Sequence, residues 1–160
     1  MPRKRDKVRS GCPIACTLDV VGDRWTLLIL RDLIFFNRHE FREMANAEEG
    51  IASNILTDRL KKLGEGGLIT SVPHPTNKTR KLYFVTEKGK SIIPLMTEFV
   101  LWGNDQIAET EAPEDIIQFI RSQREVFYLQ TLDSLAKWEV ANLPGRVTQE
   151  PSSRRDANGR

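Results

Sequence analysis

The chain has 160 residues and a hydrophobic content of 39%, enough to build one core of ordinary size without a disulfide or metal staple. Its net charge of +2 hides an asymmetry, because residues 1–91 carry 17 Lys/Arg against 11 Asp/Glu and residues 92–160 carry 7 against 11. No apolar run approaches the roughly 20 residues of a membrane-spanning helix, and no apolar signal segment follows the basic N-terminus, so a soluble, cytoplasmic protein is expected. The charge pattern fits a front half that meets a polyanion; an ordinary mixed surface is the alternative.

Residues 1–11 are expected to form a flexible basic arm, with Arg3, Lys4, Arg5, Lys7 and Arg9. Cys12 and Cys16 follow, too few for a secreted disulfide framework, and His39 and His74 stand at no finger-like spacing. Neither a metal site nor a cofactor is expected. A first helix is predicted over 17–33, with Leu18, Val21, Trp25, Leu28, Ile29 and Leu33 on its buried stripe. After a polar break at Asn37, a second helix over 40–47 turns Phe41 and Met44 inward.

A third helix begins near Ser53, a plausible N-cap, and buries Leu56, Leu60 and Leu63. Gly64, Gly66 and Gly67 supply the positive φ with which such helices end. Strands are predicted over 68–72 and 81–85, joined by the turn-rich stretch HPTNKTR over 74–80. Thr86 caps a further helix, which kinks or restarts at Pro94 and runs on through Leu95, Phe99 and Trp102. Another helix starts at Pro113-Glu114-Asp115. The tail over 144–160 is polar, basic and expected to be disordered.

Three helices, a two-stranded hairpin and a further helix are the order of a winged helix-turn-helix. The predicted fold class is therefore α+β, mainly α, with additional C-terminal helices for dimerisation. In such a module the third helix lies in the major groove, where the residues of its first turns reach base edges. That gives the polar face of the 53–63 helix a candidate role. Ser53, Asn54, Thr57 and Asp58 are short hydrogen-bonding side chains suited to bases. Lys61 and Lys62, like Lys78 and Arg80 of the hairpin loop, suit phosphates. A solvated helix face is the bland alternative for any one of them.

Several separated stretches carry a family resemblance: CPIACTLDVVGDRWTLLILRDL, ILTDRLKKLGEGGLI and LYFVTEKGKSIIPLMTEFVLWG. In this order they resemble the HxlR family of bacterial winged-helix transcriptional regulators, over about residues 12–103. The resemblance implies a homodimer on a two-fold-related operator in double-stranded DNA, with terminal helices making the subunit contact. It puts the recognition helix at 53–63, the wing at 74–80 and the whole domain at 12–111, and it implies a non-enzymatic protein responsive to oxidants, electrophiles or a small ligand. Arg24, before the helix-1 tryptophan, would serve the DNA backbone or be a solvated charge.

Cys12 matches the cysteine at which some members sense oxidants. A helix N-terminus and a cationic arm favour thiolate, whereas a free cysteine is commonly a small buried hydrophobe. Cys16 departs from the family pattern, so a Cys12–Cys16 disulfide would be particular to this chain. Residues 112–143 extend beyond the family core. They provide extra packing, or place Phe119, Phe127, Tyr128 and Trp138 around a ligand. Two other classes stand beside the leading one. A winged-helix module used only for protein contact would respond weakly to salt, and a thiol enzyme using Cys12 would need a base and an orienting group that the sequence does not offer.

Overall fold

The computed structural model describes residues 11–143; the expected basic arm over 1–10 and the expected disordered tail over 144–160 lie outside the described residues. The predicted first helix is two. Helix α1 (Pro13–Val21) ends at Gly22, and α2 (Arg24–Phe35) starts afresh. The break comes from Asp23, whose backbone is extended (φ −99°, ψ 147°) and whose carboxylate accepts from Trp25 N and Thr26 N at 3.1 Å each. A side chain that caps a helix ends the previous one. Leu18 is consequently not on the buried stripe: with α1 swung off the α2 axis, Ile14 and Leu18 are 72% and 60% exposed.

Helix α3 (Phe41–Ala45) is a short turn held by a capping box between Glu40 and Glu43. Gly50, at φ 67°, turns the chain into α4 (Ser53–Glu65), which buries Leu56, Leu60 and Leu63 against α2 and α3. Ser53 is not the N-cap. Ala52 holds that position without a side-chain bond, and Ser53 is already helical, its carbonyl accepting from Thr57 Oγ1 at 2.8 Å. Of the three glycines that follow, Gly67 alone has positive φ (70°); Gly64 is helical and Gly66 lies at φ −75°.

Strands β1 (Ile69–Pro73) and β2 (Lys81–Val85) pair antiparallel, from Ile69 opposite Val85 to Pro73 opposite Lys81. The chain before α3 joins this hairpin through a bridge between Glu40 and Leu82 and a bond from Tyr83 N to the His39 carbonyl (2.8 Å). Thr86 caps α5 (Glu87–Lys90) by accepting from Gly89 N at 3.1 Å. Helix α6 (Ile93–Gln106) restarts with Pro94 in its first turn, where no N–H is needed.

Helices α7 (Glu114–Ser122) and α8 (Arg124–Asn142) complete the described chain. Leu135 of α8 belongs to the same core as Leu30, Leu33, Met44, Leu56 and Ile93, with Tyr128 and Leu132 packed against it. Leu101, Ile117 and Ile120 make a smaller core between α6 and α7. Two phenylalanines of the extension pack on each other, and Phe127 also on α2, its ring at 6.1 Å from both Phe119 and Phe35. Trp138 stacks on His39 at 3.5 Å. Among the described residues no helix is long and apolar enough to cross a membrane.

Candidate nucleic-acid interface

The apolar residues of α4 are committed to the core, so its remaining circumference faces outward by default. Ser53, Asn54, Thr57, Asp58, Lys61 and Lys62 are all exposed. Thr57 donates its hydroxyl proton back along the helix to Ser53 O, which leaves its oxygen as an acceptor. Asp58 is already engaged, with Lys62 Nζ at 3.0 Å and the Arg59 guanidinium beside it. The Lys62 hydrogen bond is the largest influence that holds its carboxyl below the usual range. Asn54 and Lys61 have no side-chain partner among the described residues, so the Asn54 amide can donate and accept outward, and the Lys61 ammonium can donate, without breaking a contact.

Arg59 has no assigned role in the sequence reading and is a structural centre of this face. Its Nε donates to Asp23 Oδ1 at 2.8 Å, tying the middle of α4 to the start of α2. Asp23 also accepts from the hydroxyl of Thr26. Burial alone would raise the Asp23 carboxyl, but the Thr26 and Arg59 hydrogen bonds prevail and hold it low. The pair fixes the rotation of α4 about its own axis, and so which residues point away from the core.

The hairpin stands beside α4. Between them lies a cleft of about 420 Å³ lined by Thr57, Lys61, Glu65, Lys81 and Tyr83 among others. It adjoins a second, of about 370 Å³, bordered by Glu40, Arg42, Thr79, Arg80 and Lys81. Lys81 and Arg42 thus join the cationic rim, although the sequence reading assigns them nothing. Lys78 and Arg80 lie in the loop over 74–80, which is shaped by Asn77: its side chain accepts from Thr79 N at 3.1 Å, and its carbonyl from Arg80 N at 2.9 Å. Lys78 is exposed and has no partner among the described residues, whereas Arg80 is ion-paired to Glu40. Arg24 is exposed at the start of α2, with its guanidinium over the Trp25 ring at 5.0 Å. Cys12 is exposed at the N-cap of α1, and Cys16 is half-buried one turn along.

A helix with an outward polar face, a cation-rimmed hairpin beside it and two helices bracing it from behind define a winged helix-turn-helix. The particular lineage follows from comparison. The HxlR-like helix-turn-helix family matches residues 20–111, and the chain belongs to that family of transcriptional regulators. It is 35% identical over 103 residues to Rv3095 of Mycobacterium tuberculosis, an uncharacterized HTH-type transcriptional regulator, covering 64% of each chain. The chain thus spans less than two thirds of that relative's length. To YdeP of Bacillus subtilis, also an uncharacterized HTH-type transcriptional regulator, it is 30% identical over 105 residues, 64% of this chain and 81% of that one. Among solved structures it resembles PA1607 (TM-score 0.58, 35% identity, 66% of this chain and 72% of that chain). The oxidized redox regulator HypR shares the fold (TM-score 0.54, 24% identity, 61% of this chain and all of that one).

Proposed function

We propose that this chain is a sequence-specific DNA-binding regulator that acts in the cytoplasm as a homodimer on a two-fold-related operator. The observation that carries the reading is the outward face of α4 beside a cation-rimmed wing. In it Asn54, Ser53 and Thr57 meet base edges, while Lys61, Lys78, Arg80 and Arg24 meet phosphates. Asp58 and Lys62, which bind each other, contribute to readout only by exchanging that contact for a base and a phosphate. The support for a dimer is apolar surface on helices outside the DNA-binding face: Ile14 and Leu18 on α1, and Phe99 and Trp102 on α6 (54% and 63% exposed). Two α4 helices would then lie about one DNA turn apart, roughly 34–36 Å.

The test is selection of bound fragments from the source genome with purified full-length protein, with and without diamide. The expected result is a set of fragments sharing a two-fold-related motif, with affinity that falls steeply as salt rises. Affinity that hardly changes with salt would overturn the reading in favour of a protein-binding module. The diamide arm addresses Cys12, whose exposure at a helix N-cap suits an oxidant-responsive position. Unchanged DNA affinity while Cys12 is still modified by a thiol reagent would remove it from any effector role.

A further inference from the structure

Resting on the DNA-binding reading above, we propose that Glu40 is a specificity-determining residue, which holds down sequence-independent affinity by neutralising the wing cation Arg80. Glu40 is the sole acid among the residues that line the 370 Å³ cleft, where Arg42, Arg80 and Lys81 supply three cations. Its carboxylate pairs with the Arg80 guanidinium, and His74 Nε2 lies 3.8 Å away. The Glu40 side chain is 18% exposed and that of Arg80 41%, so the cation faces the cleft with its countercharge behind it.

The backbone that carries this carboxylate is held independently of the ion pair. The backbone of Glu40 bridges to Leu82 of β2, and the adjacent His39 carbonyl accepts from Tyr83 N. Glu43 completes the lock, its carboxylate accepting from His39 N at 2.7 Å and Glu40 N at 2.8 Å. The negative charge is therefore built into the junction of α3 and the wing, and any phosphate approaching Arg80 approaches it too.

Binding to arbitrary DNA is almost wholly a matter of phosphates neutralised, each contributing about 0.9 to the slope of log K against log salt. An acid behind a wing cation subtracts from that term on every sequence. On a specific site the contacts of α4 set the register, so the wing meets one defined phosphate. There the ion pair orients the Arg80 fork and offsets part of its cost. Glu40 thus lowers non-specific affinity more than specific affinity.

The experiment compares the full chain with Glu40→Gln, Arg80→Gln and the double variant. The probes are the tightest genomic fragment from the selection and a random duplex of equal length, titrated over a range of salt. Glutamine keeps a carbonyl for the α3 cap, and matched thermal unfolding verifies the fold. Glu40→Gln is expected to bind the random duplex several-fold tighter, with a slope steeper by about 0.9, and to gain less on the selected fragment. On the random duplex Arg80→Gln should cost more beside Glu40→Gln than in the wild-type background, where Glu40 already masks the cation. Unchanged affinity and slope for Glu40→Gln on both duplexes, or additive losses, would overturn the proposal and leave Glu40 as a helix cap. Should Glu40→Gln not fold, Arg80→Gln alone decides, because it leaves the cap untouched: wild-type affinity and slope on the random duplex would overturn the proposal. A wild-type protein whose affinity ignores salt fails earlier, and takes the DNA-binding reading with it.

Discussion

At the scale of single residues, side chains that reach outward separate from those held in place. Asn54 is in the first group, one residue into the helix and without a side-chain partner among the described residues. Asn54→Ala should weaken binding to a specific site by about 1–3 kcal/mol, the worth of a bidentate base contact, and spare random DNA. Equal losses in a paired titration would take Asn54 out of base readout. His39 is in the second group, 3% exposed, with Nδ1–H donating to the Tyr83 carbonyl at 2.8 Å and its ring under Trp138. Burial lowers its pKa below 6.5, against the opposing pull of the Tyr83 bond and the Glu43 and Glu139 charges. With the folded value depressed, the unfolded chain takes up the proton first. The contribution of His39 to stability is whole above about pH 6.5 and drains away as pH falls through the folded value. Urea midpoints should drop between pH 7.5 and 5.5, and drop less in His39→Gln.

At the scale of elements, the wing depends on how its base is fastened to α5. Gly89 is buried there, and a Cβ on it would stand 2.0 Å from the Leu68 carbonyl and 3.1 Å from the Val85 side chain. Gly89→Ala must push β1 away from α5, so a loss of about 1–3 kcal/mol is expected in chemical denaturation, as for other overpacked sites. Thr86 binds the same junction twice, accepting from Gly89 N and donating to the Gly67 carbonyl at 2.6 Å. Thr86→Ala should cost about 1 kcal/mol on the same assay, typical of a lost N-cap. The restart at Pro94, the hairpin with its loop and the buried leucines of α4 were all legible from periodicity and turn chemistry. The break between α1 and α2 was not. Apolar spacing runs through it, and only the carboxylate of Asp23, turned onto two backbone N–H groups, shows where the helix stops.

At the scale of the molecule, the surface divides into the polar, cation-rimmed side proposed to meet DNA and an apolar side. Trp102→Glu, on the exposed face of α6, should convert a dimer to a monomer in sedimentation and weaken binding to a two-fold site far more than to a half-site. A variant still dimeric at micromolar concentration would place the subunit contact elsewhere. The C-terminal extension lies against the back of the domain. Leu135 enters the main core, Glu139 pairs with Lys90 at 3.0 Å, and Trp138 covers His39 behind the wing.

The sequence by itself determined the order of elements from α3 through the hairpin, the apolar face of α4 and hence its polar one, and the cations of the hairpin loop. Those follow from spacing along one element, which periodicity reports directly. The tertiary structure alone decided which polar groups are engaged. Arg59 meets Asp23 from 36 residues away, and Arg80 meets Glu40 across the gap between two elements. It also decided that α8 closes the main core, because an aromatic at helical spacing looks the same in sequence whether it packs on its own domain, a second copy or a ligand. Charge pairing and core closure are properties of distance in space, and distance in space appears only once the chain has folded.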